Sequence, residues 1–234
     1  MIIGILGGMG PVASAQTYMH IIRTCQKKYG AVQDTDFPEI FIYNLPLQDF
    51  NDLGFEDTQR NIILLQLIKG LKKLEDAGAT VLLIDCNTVH TFYPEFKKYI
   101  QASILNLIQL TTDKVQEKNI KKVSILSSHT SRRIGLYEKT LQTKNIECIH
   151  ITDTEQQVVD DAIIAVMRGK NTDIHIQNIL IICKRLIHHG AESIILGCTE
   201  ISCLLKNIPD KKIFIDSQGL AIDTAVEMWH ANTI

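Results

Sequence analysis

The stretch "AGATVLLIDCNT" (residues 77–88) decides the fold, because the chain contains it twice. "HGAESIILGCTE" (residues 189–200) repeats it with Gly78 over Gly190, Ala79 over Ala191 and Cys86 over Cys198, at a constant offset of 112 residues. In each copy a glycine ends a helical stretch, a short apolar run follows, and the run closes on polar and reactive groups. These are Asp85, Cys86, Asn87 and Thr88 in the first copy, and Cys198, Thr199 and Glu200 in the second. A short apolar run bounded by turn signals reads as a buried strand. Its end carries reactive side chains to the point where the chain leaves the sheet.

Working outward, "GILGGMGP" (residues 4–11) matches "SILSSHTS" (residues 124–131), with Leu6 over Leu126. A repeat this long indicates duplication of an α/β unit, not a solenoid. Strand candidates at 2–6, 39–43, 80–84, 122–126, 147–151, 193–196 and 213–215 alternate with amphipathic stretches, the pattern of mainly parallel sheets with helical crossovers. One helix opens at Pro11, carries Met19, Ile22 and Cys25 at helical spacing and ends at Gly30; another covers 58–77 and stops at Gly78. The expected fold is α/β, with two pseudosymmetric domains built on mainly parallel sheets. Residues 1–106 plus 212–234 would form the N-terminal domain and 107–211 the C-terminal one, the last strand and helix (213–229) returning to the first. Pseudo-twofold packing would bring equivalent strand ends face to face, placing the active site in the cleft between the domains.

Composition narrows the function classes. At 234 residues, 45% hydrophobic and 21% charged, the chain can bury an ordinary core. A formal charge of −2 without a basic run argues against nucleic acid as a partner. "MIIGILGGMG" lacks a basic leader and no segment holds the roughly 18 uninterrupted apolar residues of a membrane span, so neither a membrane nor a signal peptide is expected and the location reads as cytoplasmic. Free thiols are expected of the six cysteines, since disulfide frameworks belong to small secreted chains. Cys25 and Cys183, in helical stripes, and Cys148, in a strand-like run, read as small hydrophobes.

Cys86 and Cys198 stand apart. Open parallel sheets bind ligands beyond the carboxyl ends of their strands, where both belong. If Asn87-Thr88 and Thr199-Glu200 open helices, the first-turn amides favour each thiol's anion. Two such thiols could bind a metal, form a redox disulfide, or act as acid and base. A metal would need further ligands, and only His90 is conveniently placed; the redox role lacks a Cys-x-x-Cys pair. The acid/base role needs only two groups titrating near neutrality on opposite faces of one carbon. The "GGMGP" loop (Gly7 to Pro11, with Met9 at its centre) can bring amides close to an anion or can simply make a tight βα turn. It is not a dinucleotide fingerprint, because the third glycine and the acidic end of the second strand are missing. Ser127, Ser128 and Thr130 add hydroxyl donors in the matching turn.

Together "GILGGMGP", "CNTVH" (86–90), "SSHTSRRIGLYEKTL" (127–141) and "GCTEI" (197–201) resemble the aspartate/glutamate racemase family, in its aspartate racemase branch, in family order and over nearly the whole chain. The resemblance implies racemisation of an acidic amino acid without pyridoxal phosphate or other cofactor, and without metal. It makes Cys86 and Cys198 the two bases. Met9, Asn87, Thr88, Ser127, Thr130 and Thr199 become substrate contacts, with Ser127 standing where the family usually has threonine; Glu200 would hold the ammonium group or tune Cys198. The only expected ligand is the small amino-acid substrate, and a homodimer is an assembly open to such a chain.

The departures bear on specificity. Aspartate racemases usually carry an arginine in the loop after the second strand, but here that loop is "YNLPLQDFNDLGF" (43–55), and no arginine lies between Arg23 and Arg60. Arg168, near a lysine position of the family, is left as the cation for a distal carboxylate. Ala221 stands where the segment "DSQGLA" commonly ends in histidine, and His129 replaces a common glycine. Two rival readings remain: an isomerase or decarboxylase of another small carboxylic acid on the same scaffold, and a non-catalytic amino-acid-binding protein.

Overall fold

The computed structural model describes residues 1–50, 55–208 and 211–232. Among these the chain forms two compact units, each built on a four-stranded, wholly parallel sheet with helices around it, so the α/β expectation holds. The first unit runs β1 (Ile2–Gly7), α1 (Pro11–Tyr29), β2 (Glu39–Asn44), α2 (Arg60–Asp76), β3 (Val81–Ile84), α3 (Tyr93–Tyr99) and β4 (Ser103–Ile104), with strand order β2-β1-β3-β4. The second runs α4 (Leu107–Glu117), β5 (Lys122–Leu126), α5 (His129–Arg133), α6 (Glu138–Thr143), β6 (Glu147–Cys148), α7 (Asp153–Met167), α8 (Asp173–His188), β7 (Ser193–Leu196), α9 (Thr199–Leu204) and β8 (Phe214–Asp216), in the order β6-β5-β7-β8. The last helix, α10 (Ser217–Ala231), belongs from Gln218 onward to the first unit.

The duplication read from the sequence is physical. Leu6 pairs with Ile84 across β1 and β3, and their counterparts Leu126 and Leu196 pair in the same way across β5 and β7. Local signals place the elements as expected. Gly10 is extended ahead of Pro11, and Gly30 closes α1 with φ 69°, a left-handed position where glycine carries no Cβ penalty.

Two expectations change. The strand at 213–215 does not return to the first unit: β8 pairs with β7 (Ile194 beside Phe214), and the Ile194 amide donates to the Ile213 carbonyl at 2.7 Å. Only the helix returns. The reason is β4, a two-residue strand paired with β3 (Leu82 beside Ile104) that the sequence pattern does not reveal. β4 occupies in the first sheet the place of β8 in the second. Likewise β6 covers only 147–148 of the expected 147–151, because after Ile149 has donated its amide to Val123 the chain turns to Thr152, which caps α7.

The core of the second unit gathers Leu126, Val159, Ile163, Leu186, Ile194 and Ile201, joining one face of the sheet and α7–α9 in one buried cluster. In the first unit α10 lies along α1. Thr24 donates to Asp223 at 3.3 Å, Lys28 pairs with Glu227, and the Tyr29 and His230 rings stack 3.7 Å apart. Among the described residues no helix is long and apolar enough to cross a membrane.

Candidate active site

In the first unit the ladder runs one residue past β3, the Asp85 amide donating to Leu6, and then a tight turn brings the Cys86 amide onto the Ile84 carbonyl at 2.9 Å. Cys86, Asn87 and Thr88 are all buried there, leading into a single-turn 3₁₀ helix, Thr88–Phe92. Asp85, 2% exposed, accepts from Thr17 of α1 at 2.9 Å and from Gln218 of α10 at 3.3 Å, while Gln218 also donates to the Thr17 hydroxyl. Three elements are thereby tied at the residue before the thiol. His90, fully enclosed, places neither ring nitrogen in good hydrogen-bond geometry, although the Ile84 carbonyl lies beside the ring; burial pulls it down to about 4.

The "GGMGP" loop is a close-approach turn. Gly8 sits at φ 97°, where a Cβ would stand 2.4 Å from the Leu45 carbonyl oxygen, and a Cβ on Gly7 would stand 2.3 Å from the Ser14 hydroxyl. That hydroxyl accepts the Gly8 amide at 3.0 Å, so this donor is used within the chain. Met9 is buried beside it.

In the second unit Cys198 is the extended residue immediately before α9, with φ −144° and ψ 134°. Its Sγ donates to Glu200 Oε2 at 3.1 Å, and the Thr199 hydroxyl donates to the same oxygen at 2.9 Å. Glu200 is 4% exposed, and its Oε1 has no partner among the described residues. Burial holds its carboxyl above the usual range, partly offset by the two donors. Gly197 is required by the neighbouring ring: a Cβ there would lie 3.0 Å from Tyr137 Cε2. Tyr137 is itself enclosed, bonded to Ser217 and Thr111, with burial pushing its phenol well above its ordinary value. Short helices do open at Thr88 and at Thr199 as expected, but without a side-chain cap: Asn87 makes none, and Thr199 turns to Glu200.

The turn after β5 gathers Ser127 and Thr130, both buried, with Ser128 capping α5 by accepting the Ser131 amide at 3.4 Å. It is held from α7. Gln156 donates to the Ser127 carbonyl at 3.0 Å, and Asp160 accepts the His129 amide at 3.1 Å and Gln156 at 2.8 Å. Arg168 is exposed at the end of α7. Each step of four residues from 156 through 160 and 164 turns about 40° around the helix, so Arg168 emerges on the exposed side, about 12 Å beyond Asp160 along the axis.

The other thiols differ in kind. All six cysteines are free, but burial raises Cys25, takes Cys183 to about 12, and, with Glu138 and Glu147 adding to it, takes Cys148 to about 11. These three stay protonated at neutral pH. Of the loop 43–55, residues 51–54 lie outside the described part. Arg60 beyond it is engaged with its own unit, 4.4 Å over the Phe92 ring and 3.0 Å from Glu95. Among the described residues no three His, Cys, Asp or Glu side chains stand together as a metal cluster.

Gln156, Asp160 and Tyr137 were not singled out from the sequence, and Asp85 only as one of the polar groups at the strand end, with no role given to it. Gln156 and Asp160 left a faint signal, a polar pair four residues apart on the face of α7 that otherwise reads as apolar.

Comparison with known proteins agrees with this architecture. The Broad specificity amino-acid racemase RacX of Bacillus subtilis (strain 168) is 29% identical over 229 residues, covering 98% of each chain. Among solved structures, an aspartate racemase homologue from Pyrococcus horikoshii OT3 superposes with a TM-score of 0.79 at 24% identity, covering 97% of each chain. The Picrophilus torridus aspartate racemase gives 0.75 at 24% identity, covering 97% of this chain and 94% of its own. At these identities the superpositions speak for the fold. The family model for Asp/Glu/Hydantoin racemases matches residues 6–225, nearly the whole chain; this protein therefore belongs to the Asp/Glu/hydantoin racemase family and is an isomerase of the racemase type.

Proposed function

We propose that the protein racemises amino acids without a cofactor, with Cys86 and Cys198 as the two bases, and that aspartate and glutamate are within its substrate range. The observation that carries the reading is equivalence: each thiol follows the carboxyl end of the same strand in a repeated β2-β1-β3-β4 pattern. One thiolate takes the α-proton from one face and the other thiol protonates the opposite face. The α-hydrogen of an amino acid is a very weak acid, so the carbanion-like state needs aimed donors in a water-poor site. Asn87, Thr88, Ser127, Thr130 and Thr199 are buried at the strand ends of their units and suit that task. Met9 is buried in the Gly7–Pro11 loop of the first unit and is taken as a further contact, and Glu200 offers an open carboxylate oxygen to the ammonium group. Breadth is supported by the absence of arginine between Arg23 and Arg60, and agrees with the name of the Bacillus subtilis relative.

The test uses L- and D-amino acids in heavy water, with α-deuterium incorporation followed by NMR. Cys86→Ala and Cys198→Ala should each abolish racemisation in both directions, since one face then lacks its proton donor. Each should still exchange the α-hydrogen of one enantiomer, and the two variants should prefer opposite ones. Racemisation near the unmodified rate in either variant would sink the two-thiol scheme.

A further inference from the structure

The Cys198 Sγ stands 3.1 Å from Glu200 Oε2, both groups buried, with Thr199 donating to the same oxygen. A thiolate and a carboxylate this close in a water-poor site repel strongly, so the second proton leaves the pair only at a pH well above that at which the first is lost. We infer that Cys198 and Glu200 share a single proton between Sγ and Oε2, and that Glu200 takes this proton whenever Cys198 acts as the base. The inference rests on the two-thiol reading and adds a partner to one of its thiols.

The step balances. The α-C–H bond breaks, its electron pair stays on carbon, and its proton goes to the Cys198 thiolate while Glu200 carries the shared proton; the pair passes from charge −1 to neutral. In the opposite direction Sγ gives its proton to the carbanion and is left as a thiolate accepting a hydrogen bond from protonated Glu200. At no stage does the pair hold two negative charges. The raised carboxyl of Glu200 agrees with this, its cause being burial.

The surrounding titratable groups do not take over the role. Tyr137 feels the charges of Asp216 and Cys198, but burial keeps it protonated. Asp216 accepts from Ser202 at 2.8 Å. From α7, which packs on α9, Asp160 is taken up by the His129 amide and Gln156. Cys203 is a turn further along α9.

The test needs no substrate. Alkylation of Cys198 by iodoacetamide, read by mass spectrometry of its peptide between about pH 5 and pH 10, should show two steps, because coupled groups titrate as a pair. The lower step is loss of the first proton, leaving a fixed fraction of the thiolate tautomer; the upper is loss of the second. Glu200→Gln, of the same shape but unable to take up the proton, should show one step. A single-step profile in the unmodified protein overturns the inference whether or not the variant folds. In the Cys86→Ala background, Glu200→Gln should also lower the remaining α-deuterium exchange by about tenfold or more, the scale of a lost proton-transfer partner; an unchanged exchange rate counts against the inference. If Cys86→Ala shows no exchange while alkylation keeps its two steps, the two-thiol reading fails and the proton-sharing pair stands.

Discussion

His90 illustrates how a residue buried for packing acquires a pH dependence. It is enclosed next to the turn that carries Cys86, and burial lowers it from 6.5 to about 4. A base whose folded value is depressed is neutral in the native protein and takes up a proton on unfolding. Its contribution to stability is present above the unfolded value and is lost as the pH falls from 6.5 towards 4. The interval corresponds to about 3 kcal/mol. The urea midpoint should therefore fall steeply between pH 7 and pH 4.5 in the unmodified protein, and much less in His90→Leu, where nothing titrates at this position. Equal slopes in the two proteins would remove His90 as the cause. At this scale the thiols were legible because the repeat marks them twice. Asp85 and Asp160 were not, because what makes them important is a partner far along the chain: Thr17 and Gln218 for the first, the His129 amide for the second. A buried acid and an exposed one look alike in a sequence.

Among the elements, α7 does most to shape the second unit's turn. Thr152 and Glu155 form a capping box at its start, Gln156 and Asp160 hold the turn after β5, and Arg168 lies exposed about two turns beyond Asp160. The resemblance makes Arg168 the cation for a distal carboxylate, a role that concerns the side chain of the substrate and not its α-carbon. Arg168→Ala should raise KM for aspartate and glutamate by about tenfold, the effect of losing one charge-assisted hydrogen bond, with little change for neutral amino acids. An equal rise for both classes would mean that the change acts through α7, not through charge. Long elements such as α1 and α2 were readable from their periodicity and glycine stops. β4 and β6 were not, since two residues cannot display a period; only pairing with β3 and β5 defines them. The last strand was expected in the first sheet, but its edge beside β3 is taken by β4, and β8 pairs with β7.

In the whole molecule, the first unit is discontinuous in sequence. Its sheet comes from residues before Asn106, and it is completed by α10, which buries Ala221, Ile222, Ala225, Val226 and Trp229 and supplies Gln218 to Asp85. Removing residues 218–234 strips several large apolar side chains from the core, each contributing about 1.5–3 kcal/mol. It also leaves Asp85 short of a donor. Hydrogen exchange followed by mass spectrometry should show α1 and β3 of the truncated chain losing protection while β5 and β7 keep theirs. Uniform loss across both units would mean that they unfold as one. The duplication was legible at this scale; which unit each late segment joins was not, because β8 follows its neighbour β7 whereas α10 follows α1.

The two ends of the chain meeting in one unit set an order on its birth at the ribosome. Residues 107–217 can be complete while the first unit still waits for α10, and at about 5–20 residues per second that wait lasts on the order of ten seconds. For that interval the nascent chain carries the face of α1 that α10 will later cover. A unit whose core still awaits Ile222, Val226 and Trp229 is where chaperones bind and where nascent chains aggregate, so the first half of the protein, although made first, is the last to be safe.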